Sequence, residues 1–168
     1  SKKIGFLYNS SEENSVVQLK ELKEIAGKYN FEIVDQGISS ANELPQTLDK
    51  IISQVDVIYL PTDNLISSSS ALIAEKANAA KKITFGAESG MLENGIFITK
   101  GIDYYILGKE AGKLAIQILR DGKKPSELPY MTSETVEIAI NKATMDKLGI
   151  KLPDDIMSKA KIIETKEK

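Results

Sequence analysis

Apolar positions along this chain alternate between two spacings. "KIGFLY" (3–8), "FEIVDQ" (31–36), "VDVIYL" (55–60), "KITFG" (82–86) and "GIFITK" (95–100) are short, rich in β-branched or aromatic residues, and bounded by polar groups. That pattern predicts strands. Between the early ones the spacing widens to three and four. Val16, Leu19, Leu22 and Ala26 share one helical face, with Ser10 and Glu13 at the separation of a capping box. Asn42 is placed to cap a helix carrying Leu44, Leu48, Ile51 and Ile52, with Pro45 tolerated in its first turn. A further helix is predicted over 65–80, with Leu72, Ile73, Ala77 and Ala80 inward.

The strongest helical signal is "DYYILGKEAGKLAIQILRDG" (103–122), whose apolar face is Leu107, Ala111, Leu114, Ala115 and Ile118. After Pro125 the pattern changes. "ETVEIAIN" (134–141) alternates like a strand, "KATMDKLG" reads as a short helix, and "KLPDDIMSKAKIIE" reads as a second short helix before a charged tail.

Strands that alternate with helices imply a parallel sheet covered on both faces. The expectation is an α/β fold: a three-layer αβα, doubly wound, mostly parallel sheet. Right-handed crossovers bring the C-terminal ends of parallel strands to one edge, where ligands bind in such sheets. Three strand ends then carry similar groups. The first runs into Asn9, Ser10, Glu13, Asn14 and Ser15; the third into Thr62, Asp63, Asn64 and the serines 67–70; the fourth into Glu88 and Ser89. Each cluster alone reads more readily as helix capping. Together they suggest a cleft with acids for an ammonium and helix N-termini for a carboxylate. In that reading Asp63 takes the ammonium, and the helix start near Ser10 to Ser15 takes the carboxylate. Ser67 and Ser68 face the cleft or solvent. Tyr104 and Tyr105 either stack on a ligand ring or are half-buried packing residues.

Composition narrows the choice of chemistry. The 168 residues suit one domain with a real core. There is no Cys and no His, which removes disulfides, thiolate nucleophiles, common zinc sites and His-based triads. No enzyme, metal or cofactor is expected. The formal net charge is −2, with Lys and Glu interspersed, so a nucleic-acid partner is not expected.

At "YNSSEENS", "VDVIYLPTDN" and "GIDYYILGKEAGKLAIQIL" the sequence resembles the substrate-binding proteins of ABC transporters, specifically the tryptophan- and tyrosine-associated binding lipoproteins. The resemblance continues to the closing "INKATMDKLGIKLPDDIMSKA". It implies one lobe of a type I periplasmic-binding-protein fold, in which two α/β lobes close on a ligand. Members are about twice this length, so the chain would be the C-terminal half. Residues 1–101 would form the second lobe. Residues 102–130 would be a crossover, beginning near Thr99 to Asp103, and a helix belonging to the other lobe; 131–168 would be the return segment and tail.

The implied ligand is a small amino acid, aromatic as in tryptophan, and the implied partner is an ABC permease. The implied location is the outer face of the cell membrane or the periplasm, with tethering supplied by the absent N-terminal half. The isolated fragment, having lost the partner of its long helix, would self-associate. Motif matching carries over Asn9, Ser10, Glu13, Asn14, Ser15, Thr62, Asp63, Asn64 and Glu88 as ligand-side candidates. Two alternatives stand beside this one: the effector-binding core of a sugar-repressor-type transcription regulator, and a flavodoxin-like enzyme.

Overall fold

The computed structural model describes residues 2–131 and 136–163. Seven strands form one sheet: β1 (Lys2–Asn9), β2 (Phe31–Ile38), β3 (Val57–Leu60), β4 (Ile83–Glu88), β5 (Ile98–Ile102), β6 (Val136–Asn141) and β7 (Lys161–Ile163). Their order is β2-β1-β3-β4-β5-β6-β7. Neighbours are parallel throughout except β5 and β6, which run antiparallel. The expected mostly parallel, helix-flanked architecture is therefore the one observed.

The order reverses at β1, which pairs with β2 on one side and β3 on the other. Right-handed crossovers put the helix after β1 and the helix after β2 on opposite faces, and a crevice opens between them at the strand ends. On one face, α2 (Leu44–Ile52) and α4 (Ser70–Ala79) pack on Leu7, Ile58 and Leu60, burying Leu44, Leu48, Ile51, Ile73 and Ala77. On the other, α1 (Glu13–Ala26) buries Leu19 and Ala26. A row of rings, Phe6, Tyr59 and Phe85, lies across β1, β3 and β4 with neighbouring centroids 5.3 and 5.6 Å apart. A smaller cluster around Phe97, Ile140 and Met145 ties α6 (Lys142–Leu148) and α7 (Asp154–Met157) to the β5–β6 end.

Several local expectations need correction. The helix over 65–80 is two helices, α3 (Asn64–Ser68) and α4, separated at Ser69, whose φ of −99° and ψ of 2° leave the helical region. Asn42 sits inside a 3-10 turn (Ala41–Glu43) and does not cap α2. The predicted last helix is not formed over 151–163: α7 is a single turn, and Lys161–Ile163 is an edge strand. Residues 134 and 135 of the predicted sixth strand, and the end of the charged tail, lie outside the described residues.

The long amphipathic helix is present as α5 (Tyr104–Leu119), capped by Asp103, whose carboxylate accepts from the Tyr105 and Ile106 N–H groups. Yet α5 contains no buried residue. Leu119 and Ile116 are exposed, and Leu107, Leu114 and Ile118 are only half-buried.

Candidate functional site: a cleft at three strand ends

The C-terminal ends of β1, β3 and β4 share one edge because those strands are parallel. Between them lies an open cavity of about 520 Å³, lined by Asn14, Thr62, Asp63, Asn64, Ser67, Ser68, Glu88 and Tyr104. Sequence-predicted Asn14, Thr62, Asp63, Asn64 and Glu88 thus meet in one place.

Asp63 is the joint of this edge. It is 2% exposed. One carboxylate oxygen caps α3 by accepting from the Ile66 N–H at 3.0 Å. The other accepts from the Asn9 N–H and the Ser15 hydroxyl, both at 2.7 Å. Three internal donors therefore bind β3, β1 and α1 together through one buried charge, as a buried carboxylate requires. Asp63, expected to take a ligand's ammonium, lines the cavity with its carboxylate already accepting from these internal donors. An N-cap and a ligand-binding acid use the same residue types, so the sequence could not separate them.

A second carboxylate braces the same corner. Glu12 accepts from the Asn64 N–H at 3.1 Å and from the side-chain amides of Asn64 and Asn9 at 3.1 and 3.3 Å. Sequence reasoning picked the neighbouring Glu13, expecting it to box with Ser10. In fact α1 begins after Glu12, and Glu13 is exposed outside the cavity lining. Ser10 is turned away from the cleft: its N–H and its hydroxyl both donate to the Ile38 carbonyl on β2, at 2.9 and 3.3 Å. Asn9 and Ser15 stand behind the cleft wall as supports of Asp63. Asn14 lines the cavity with its amide donating to the Thr62 carbonyl at 2.6 Å.

Glu88 closes the other end. Here β5 carries one extra residue against β4, so that Gly86 pairs with Thr99 but Glu88 pairs with Ile102. The close approach requires glycine at 101, because a Cβ there would meet the Ala87 carbonyl oxygen at 1.6 Å. Glu88 is 7% exposed and borders the cavity, with Tyr104 beside it in the lining. Burial, followed by the neighbouring Glu88 carboxylate, holds the Tyr104 phenol above its ordinary range. Tyr104 is itself 51% exposed. Tyr104, expected either to stack on a ligand ring or to pack half-buried, lines the cavity. Ser67, Ser68 and Tyr104 are lining residues that motif matching alone did not select; placement on the first turns after strand ends was the available signal.

A polar crevice at the carboxyl ends of the strands, near the switch point of an α/β sheet, is where such folds bind ligands. Comparison with known proteins gives the family. The model of the ABC transporter substrate binding protein family matches residues 1–163, and this chain belongs to that family. The family is one of solute-binding proteins, not enzymes. The chain is 41% identical over 150 residues to a tyrosine-binding protein of Clostridioides difficile, covering 89% of this chain and 43% of that one.

Among solved structures, an L-Trp complex from Streptococcus pneumoniae superposes with a TM-score of 0.88 at 34% identity, covering 96% of this chain and 55% of that one. A ligand-free, open substrate binding protein with adhesive properties from Clostridium difficile superposes with a TM-score of 0.77 at 38% identity, covering 98% and 55%. The chain thus spans about half the length of the relatives it matches.

Proposed function

We propose that this chain forms one wall of the ligand cleft of an ABC importer's solute-binding protein, and that the solute is an aromatic amino acid. The carrying observation is the convergence of three strand ends on one polar cavity, Asn14 from the first, Thr62 to Asn64 from the third and Glu88 from the fourth. The aromatic class is supported by the tyrosine-binding relative and by the neighbour solved with L-Trp. The partner is the permease of the same system, and the site of action is the outer face of the membrane or the periplasm. Among the described residues no helix is long and apolar enough to cross a membrane. Family membership favours transport over an effector-binding transcription regulator or a flavodoxin-like enzyme.

The same reading assigns 102–130 to the opposing lobe, which accounts for an amphipathic α5 with no buried residue. In the isolated chain that face drives self-association, and light scattering of a clean monomer at high concentration would contradict it. The functional reading is tested by calorimetric titration of the full-length gene product with the twenty amino acids. Saturable heat with tyrosine or tryptophan is expected. Silence with all twenty, alongside binding of a sugar or nucleotide, rejects it.

A further inference from the structure

We infer that Glu88 receives the ligand's α-ammonium beside Tyr104, and that this wall reads the amino-acid head group and not the side chain; the inference rests on the amino-acid reading above. Four observations lead to it. The eight lining residues include two carboxylates, Asp63 and Glu88, and no Lys or Arg. A wall of that charge attracts the cationic end of a zwitterion and repels its carboxylate.

The two acids are not equivalent. Asp63 already accepts from Asn9, Ser15 and Ile66. Glu88 is nearly as buried, and the group set beside it in the lining is the half-exposed Tyr104. A carboxylate offers about four acceptor positions, so Glu88 keeps most of its capacity for a ligand in the cavity it borders.

The positive end of α3, where a ligand carboxylate could otherwise sit, is occupied from within. Glu12 takes the Asn64 N–H and Asp63 takes the Ile66 N–H. We assign the carboxylate end of the ligand to the opposing surface.

Side-chain recognition has little to act through here. Apart from the two acids, the lining is Asn14, Thr62, Asn64, Ser67, Ser68 and Tyr104. The single ring, Tyr104, opens α5, the segment assigned above to the opposing lobe. An indole or phenol ring needs apolar or stacking surface, which this wall offers only at that one ring.

The test uses the full-length gene product and calorimetry, with L-tyrosine, L-tryptophan, L-phenylalanine and the amine-free analogue 3-(4-hydroxyphenyl)propanoate. In the wild type, removing the amine is expected to weaken binding about tenfold or more, the worth of a charge-assisted hydrogen bond. In Glu88→Gln, the three amino acids weaken by a common factor of similar size, their ranking is kept, and the penalty for lacking the amine disappears. Tyr104→Phe, which keeps the ring, produces a smaller loss with the same ranking. Three results would overturn the inference: unchanged amino-acid affinity in Glu88→Gln, a reordering of the three ligands, or a wild type indifferent to the amine. Failure of the wild type to bind any amino acid overturns the functional reading as well, so the two failures are distinguishable. Should Glu88→Gln not fold, Glu88→Asp, which draws the carboxylate back by one methylene, is expected to weaken the three amino acids alike, and unchanged affinity there overturns the inference.

Discussion

Two ends of one cleft use buried carboxylates in opposite ways. At the β1–β3 end, Asp63 is enclosed by three donors from its own chain. At the β4–β5 end, Glu88 borders the cavity with Tyr104 beside it. The two residues are alike in type and in depth, so the difference lies in what surrounds them. A carboxylate satisfied from within fixes the backbone, whereas one left with spare acceptor capacity waits for a donor from outside.

This contrast can be broken or sharpened by substitution. The largest effect is expected at Gly101, whose replacement by Ala forces a Cβ into the Ala87 carbonyl and must displace β5 or the Glu88 turn. A loss of about 4 kcal/mol in chemical denaturation is the expected result. An unchanged midpoint would mean that the β4–β5 irregularity does not position Glu88. Next comes Asp63→Ala, which leaves the Asn9 and Ile66 N–H groups and the Ser15 hydroxyl without their acceptor. About 3 kcal/mol is expected, against less than about 1 kcal/mol for Glu88→Gln. Equal losses at the two acids would erase the distinction drawn here. Ser15→Ala removes one buried donor and should cost about 1 kcal/mol.

The smallest effect is spectroscopic. Tyr104 and Tyr59 both have phenols raised above their ordinary range, Tyr104 by burial and then Glu88, Tyr59 by burial and then the charge of Glu21. A raised phenol stays protonated to higher pH in the folded state. Whatever stability it contributes is present below the ordinary phenol range and is lost as pH rises through the raised value. In an alkaline absorbance titration, Glu88→Gln should move one late-titrating phenol back toward the ordinary range, leaving Tyr59 late. Two late phenols in both proteins would show that Glu88 does not govern Tyr104.

Much of the fold was legible because its signals are local. Leu44, Leu48 and Ile51 recur at helical spacing, and all three are buried in α2. The same periodicity in α5 identified a helix but not a buried one, because a stripe reports that a face is apolar and says nothing of where its partner lies. The split of α3 from α4 at Ser69 and the short β7 were not legible, since both depend on tertiary packing over runs too brief to carry a period.

At the site, the shared edge followed from parallel topology, and five candidates do line the cavity. The roles within it did not follow. Capping, bracing and ligand binding draw on the same Asp, Glu, Asn and Ser, so only coordinates could turn Ser10 toward β2 and give Glu12 the bracing role expected of its neighbour.

The central claim is that this wall holds the head group of an amino acid through Glu88. A crystal structure of the full-length gene product with L-tyrosine or L-tryptophan bound tests it most directly. The account predicts the ligand nitrogen about 2.7–3.2 Å from a Glu88 carboxylate oxygen, with the ring against the opposing surface. A ligand carboxylate lying on this wall, or a ligand bound away from Glu88, would contradict it.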